Sequence, residues 1–171
     1  SCASASDLSR LSHISMRRHA SAGSLKMSGR KLLIDTNVFI GLEDEREVAP
    51  EFATLQQLCA KHGVTIFIHE RAAEDIGRDR DVRRRAVSLS KIRKFVQLKK
   101  VRQPPRADLE IRFGLMPKPN DEVDVALLHA LDINTVDFLI TQDQGIHTRA
   151  RRASPTLGNR VLTVPDAVVW L

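Results

Sequence analysis

The apolar positions of this chain follow two different periods in turn. Lys31–Ile34 ends in three consecutive apolar residues, and Val64–Ile68 is dense in β-branched side chains, so both read as buried strands. Between them, Pro50–Lys61 sets Phe52, Leu55, Leu58 and Cys59 at helical spacing, and His62-Gly63 ends that helix. Arg71–Gly77 predicts a short helix. Asp81–Val96 places Val82, Ala86, Leu89 and Val96 on one stripe with Arg and Lys elsewhere, which predicts a single amphipathic basic helix. Gln103–Pro105 breaks the chain, and Arg106–Pro119 reads as a loop-rich insertion. Asp121–Leu131 is helical, with Val123, Leu127 and Ala130 on one face. Asp137–Thr141 then predicts a strand, Gln144–Arg152 a helix, Arg160–Val164 a strand, and Pro165–Leu171 the start of a further helix. Strands that alternate with helices imply an α/β protein with a parallel sheet and right-handed crossovers. There is no internal repeat. A last helix that stops at the apolar pair Trp170-Leu171 suggests a chain that continues.

Residues 1–26 break this regularity. They are rich in Ser, Ala and Arg without a sustained period, and read as a flexible tail, a remnant of recombinant expression or an organelle transit peptide. The folded part is expected from Met27 to Leu171. An apolar fraction of 42% in 171 residues is enough for one real core. No apolar run approaches the roughly 18 residues that would cross a bilayer. Cys2 and Cys59 lie in a predicted tail and a predicted helix, which argues against a disulfide or a metal cluster and fits a reducing cytoplasm.

Charge sharpens the picture through its distribution. The net charge is +6. Residues 78–106 carry twelve basic residues against only Asp79 and Asp81. The first 26 residues are also basic, so the remaining body is acidic. An acidic body with a strongly basic segment is what a metal-using enzyme of nucleic acids needs, although an ordinary solvated surface can show the same contrast.

The acids themselves recur at strand ends. Asp35 directly follows the first strand, and Asp143 lies two residues beyond the strand Asp137–Thr141. In an open parallel sheet the carboxyl ends of strands face the ligand crevice, yet both positions also suit helix caps. Asp124 lies in the first turn of Asp121–Leu131, with Asp121 one turn earlier, where the helix dipole favours acids in any case. After the second strand come Glu70, Glu74 and Asp75. Ala72, Ala73 and Ile76 mark the buried side there, so Asp75 sits at its edge. Hard divalent ions take oxygen ligands, and several gathered carboxylates repel one another unless a cation lies between them. The histidines His69, His129 and His147 share no ligand spacing and read as core or surface residues.

Three runs carry a family resemblance. Leu33-Ile34-Asp35-Thr36-Asn37-Val38-Phe39-Ile40 resembles the opening motif of PIN domains. Asn120-Asp121-Glu122-Val123-Asp124-Val125-Ala126-Leu127-Leu128-His129-Ala130 resembles their third acidic helix, and Asp137-Phe138-Leu139-Ile140-Thr141-Gln142-Asp143 their last acidic strand. The motifs stand in the family's order over Lys31 to Leu171. The resemblance implies a three-layer α/β/α sandwich with a mainly parallel sheet, and Mg²⁺- or Mn²⁺-dependent hydrolysis of RNA. It assigns the metal-ligand roles to Asp35, Asp124 and Asp143. Asp75 takes the second-acid role, with Glu74 as its rival because the family usually has Glu there. Thr36, Asn37 and Thr141 look like polar support for the acids. The enlarged basic region 79–119 departs from the small toxin-type members and points to a different branch.

Under that reading a metal-activated water attacks the phosphodiester. Arg83, Arg84, Arg85, Lys91, Arg93 and Lys94 hold the RNA backbone by charge. With 4% aromatic residues and no Tyr, base stacking is a poor basis for specificity. A non-catalytic RNA-binding or scaffold PIN domain keeps the fold without the metal. A toxin module held by an antitoxin keeps the chemistry. A phosphatase- or receiver-like domain would need a lysine or a phosphate loop in place of Asp124. The partners expected are RNA, and beyond it a second copy of the chain, an antitoxin or a fused C-terminal domain, with no membrane.

Overall fold

A computed structural model describes residues 29–43 and 50–171, with the backbone alone at 41–43. The predicted tail and Cys2 lie outside the described residues. The elements run β1 (Lys31–Ile34), α1 (Thr36–Glu43), α2 (Pro50–His62), β2 (Thr65–His69), α3 (Ala72–Gly77) and α4 (Val82–Lys91). After a 3-10 turn at Ile92–Lys94 come β3 (Val96–Leu98), α5 (Arg106–Phe113), α6 (Pro119–Asp132), β4 (Phe138–Ile140), α7 (Gln144–Ala153), α8 (Pro155–Gly158), β5 (Val161–Leu162) and α9 (Val164–Trp170).

All five strands pair in parallel, in the order β3-β2-β1-β4-β5. The chain first steps outward from β1 through β2 to β3, then returns to the other side of β1 for β4 and β5. The direction of winding therefore reverses between β1 and β4. In register, Ile34 stands beside Ile68 on one side and Ile140 on the other.

Side chains of a strand alternate between its two faces, and both faces are covered here. Leu32, Ile34, Ile68 and Ile140 pack with Val38 and Phe39 of α1, Leu55 and Cys59 of α2, Ile76 of α3 and Ala167 of α9. Leu33 and Leu139 pack on the opposite face with Leu109 and Phe113 of α5, Leu127, Leu128 and Leu131 of α6, Ile146 of α7 and Leu157 of α8. The protein is thus a three-layer α/β/α sandwich. Covering both faces explains why β1 and β4 read as continuous apolar runs with no polar alternation. Cys59 is a buried free thiol. Among the described residues no helix is long and apolar enough to cross a membrane.

Two expected segments differ. The single helix predicted over Asp81–Val96 stops at Lys91, and Val96–Leu98 instead pairs with Phe67–His69. Its supposed apolar stripe is not a buried one: Val82 is 66% exposed, while Ile92, just past the helix, is buried. The pairing edge of β2 wins this segment for the sheet. The region Arg106–Pro119, expected as loop, begins with the helix α5. Leu109 and Phe113, four residues apart, anchor it in the core, and Gly114 at φ +93° ends it. The chain also forms α1 and the short α8, which the apolar period does not reveal.

Leu139 lies in β4 with no exposed surface. Leu139→Ala removes three buried carbons from a two-sided core, and a loss of about 2–5 kcal/mol is expected. Urea unfolding followed by circular dichroism measures it; a loss well under 1 kcal/mol would contradict the packing described.

Candidate active site

The reversal of winding marks the place where sheets of this kind take their ligands. In parallel sheets of this kind it lies beyond the carboxyl ends of the two strands at the switch point, here β1 and β4. The next residue after β1 is Asp35, and the next after β4 is Thr141. Their strands are still paired at this level, because the Asp35 amide donates to the Ile140 carbonyl at 3.0 Å.

Asp35 is 7% exposed and is held from two sides. The Thr36 amide donates to Oδ1 at 2.6 Å, and the Thr141 hydroxyl donates to Oδ2 at 2.8 Å. The Phe39 amide donates to the Asp35 carbonyl at 2.9 Å, so this residue also launches α1. Asp35 is thus both the residue that launches α1 and the one that follows β1 beside the reversal of winding. Thr141 is fully buried, and its hydroxyl oxygen accepts from the Asp143 amide at 3.0 Å. One threonine thus couples the two acids of the switch point. Asp143 caps α7 by accepting from the Gly145 amide at 2.6 Å. A Cβ on residue 145 would lie 2.9 Å from Asp143 Oδ1, so glycine allows this tight turn.

Asp124 comes from α6, which packs beside β4 with Val123 and Val125 buried on either side of it. Its surroundings identify its neighbours. Burial first, then the charges of Asp35, Asp143 and Asp121, raise its carboxyl to about 7, while Arg149 lowers it. Burial likewise lifts Asp35 to about 6, the bonds from Thr141 and Thr36 oppose this, and the charges of Asp75 and Asp143 add to the rise. Asp35, Asp75, Asp124 and Asp143 therefore share one electrostatic neighbourhood.

The remaining predicted residues divide. Asp75 is half-buried and bonds Arg78 at 3.3 Å. Glu74 is exposed, and Glu70 accepts from the Lys100 amide at 3.2 Å, off towards β3. Asp121 accepts from the Lys118 amide at 2.8 Å and pairs with Arg149 at 2.8 Å, which makes it a cap and an ion-pair partner. Thr36 supports Asp35 through its amide, and Asn37 is exposed on α1. Arg83, Arg93 and Lys94 are exposed, and Lys91 and Arg85 are half-buried. Arg84 grips Asp79 through two bonds, and Arg85 donates to the Asp79 carbonyl at 2.9 Å.

Two supporting residues escaped sequence reasoning. Arg149 donates to the carbonyls of Phe113 and Leu115 and to Asp121, tying α7 to α6 and to the end of α5. The buried His147 donates through Nε2 to the Thr141 carbonyl at 3.2 Å. Both lie within two turns of Asp143 on α7, and that spacing is the only signal that could have marked them. His69 and His129 are core histidines, the latter bonding the Arg102 carbonyl at 2.9 Å.

The donor set is all hard oxygen, which fits Mg²⁺ or Mn²⁺. Two of its members are held above the normal carboxylate range by burial and mutual repulsion, and a cation would relieve that repulsion. Among the described residues no three acid, histidine or cysteine groups stand close enough to enclose an ion directly. No family model matches this chain, and a search of curated proteins finds no match.

A carboxyl whose folded value lies above its unfolded value makes the folded state the tighter proton binder. The stability it allows is present below the unfolded value of 3.8 and is lost as pH rises through about 6 for Asp35. In EDTA, wild type should therefore lose stability between pH 4 and pH 7. Asp35→Asn should flatten that loss and be the more stable protein at pH 8, by on the order of 2–3 kcal/mol. Urea midpoints across this pH range measure it; parallel curves for the two proteins would refute the assignment.

Proposed function

We propose that this chain is a PIN-type nuclease that hydrolyses phosphodiester bonds in single-stranded RNA with Mg²⁺ or Mn²⁺. The observation that carries the reading is that Asp35 and Asp143 follow β1 and β4, the strands on either side of the reversal of winding, with Asp75 and Asp124 near enough for charge to act between them and Asp35. Asp35, Asp124 and Asp143 would hold the ion. When bound, such an ion supplies a water of lowered pKa and neutralises charge building on the phosphate oxygens.

The chain's own residues divide the remaining work. Thr36 and Thr141 fix both oxygens of Asp35, so one ligand is rigid before anything binds. Thr141 also sets the backbone of Asp143. Arg83, Arg93 and Lys94 present cations to the RNA backbone from the segment between α3 and β3.

One observation favours a second reading, an RNA-binding domain without catalysis. Asp75 and Asp121 are already neutralised by Arg78 and Arg149, so the cluster is partly compensated within the protein.

Cleavage separates the two. Wild type should cut single-stranded RNA in Mn²⁺ or Mg²⁺, EDTA should abolish the activity, and Asp143→Asn should lower it by about 100-fold or more, the scale of losing one preorganised charge. Calorimetry should find Mn²⁺ binding in wild type and none in Asp35→Asn. Equal cutting by wild type and Asp143→Asn would sink the enzyme; Mn²⁺ binding without turnover on a panel of RNAs would leave the second reading.

A further inference from the structure

The basic segment does not act as one uniform patch. Arg78, Arg84 and Arg106 are bonded to carboxylates, and Arg85 to a carbonyl. Arg93 and Lys99, by contrast, enter no ion pair among the described residues. They lie at either end of a stretch that includes β3, the outermost strand on its side of the sheet.

Alternate residues of a strand share a face, so Phe95, Gln97 and Lys99 point the same way, and Arg93 from the preceding turn joins them. These four residues line one open depression. Its floor is anchored: the Phe95 ring meets Phe39 of α1 edge-on, with centroids 5.5 Å apart and planes at 82°. Phe39 in turn belongs to the helix that starts at the residue after Asp35. Lys99 directly follows β3 just as Asp35 directly follows β1, so both stand at the carboxyl edge of the sheet. Two strand spacings separate them, about 10 Å.

We infer that the depression of Arg93, Phe95, Gln97 and Lys99 is a binding subsite for single-stranded RNA that passes on to the acids at the switch point. A nucleotide matches every element of the site. Its phosphates suit the two cations at the ends, its base offers a π-face for Phe95, and its polar edge suits the Gln97 amide, which can both donate and accept. An acidic peptide would use the cations alone. It would also gain little by adding a strand, since β3 offers only three residues of edge. The inference rests on the nuclease reading for the direction of the strand, but its binding test does not involve cleavage.

The test uses the full 171-residue chain in EDTA, where no cutting intervenes. Fluorescence anisotropy with a labelled 12-nucleotide single-stranded RNA is followed from 50 to 200 mM salt. The variant Arg93→Ala/Lys99→Ala changes exposed side chains and leaves the core alone. It should weaken binding at least 5-fold, and two lost phosphate contacts should flatten the log–log salt slope by about 1.4. Gln97→Ala should weaken binding about 3-fold with the slope unchanged. Phe95→Leu should weaken it about 5-fold or more, as expected for one lost base stack, also without a change of slope. Unchanged affinity and slope in Arg93→Ala/Lys99→Ala would overturn the subsite. So would displacement of the RNA by decaglutamate as effective as displacement by unlabelled RNA. Failure of the nuclease reading is seen separately, as wild type that binds RNA in this assay and cuts none with metal added.

Discussion

The hydroxyl of Thr141 is the small contact on which the candidate site depends. It donates to Asp35 at the end of β1 and accepts from the amide of Asp143 beyond β4. These two strands are neighbours in space but far apart in sequence, and the winding of the sheet reverses between them. A crevice at such a reversal needs its two walls held in register. Here the pairing of β1 with β4 does that as far as the Asp35 amide, and one buried side chain carries the link onward and orients a carboxylate as well. His147 steadies the same residue from below by bonding its carbonyl.

Around this contact the protein concentrates negative charge where solvent is scarce. Burial alone disfavours the ionised forms of Asp35 and Asp124, and their neighbours add to the penalty. A core this well filled would be more stable with neutral groups at these positions. Acids at such positions fit the cation-dependent reaction on RNA proposed above, in which the basic segment also has a part. Stability is given up locally at the crevice and recovered in the two apolar layers on either side of the sheet.

The architecture was legible in the sequence because each central strand is buried on both faces and carries an unbroken apolar run. The positions of Asp35 and Asp143 followed from strand ends, which a short apolar run locates to within a residue or two. What the sequence hid was decided by partners distant in the chain. Val96 continues a helical stripe on paper, yet the free edge of β2 draws it into a strand. Leu109 and Phe113 are two apolar residues among charged ones beside a Pro-Pro pair, and only the core they enter makes them a helix. Asp75 and Glu74 are adjacent and chemically alike; which one lies near Asp35 depends on how α3 is turned against the sheet. The helical stripe placed Asp75 at the buried edge, and in the structure Asp75 is half-buried while Glu74 is exposed.

Arg149 gives the arrangement a property that goes beyond holding helices together. Its guanidinium reaches two carbonyls at the end of α5 and the carboxylate of Asp121 at once, from a side chain only one-fifth exposed. A planar fork can satisfy three acceptors in fixed directions, whereas a lysine ammonium is a compact point charge on a flexible stem. The exchange of Arg for Lys, among the mildest in ordinary sequence drift, is therefore not mild at this position. With lysine at this position the three acceptors could not all be held, and the link from α7 to Asp121 at the start of α6, the helix that carries Asp124, would loosen.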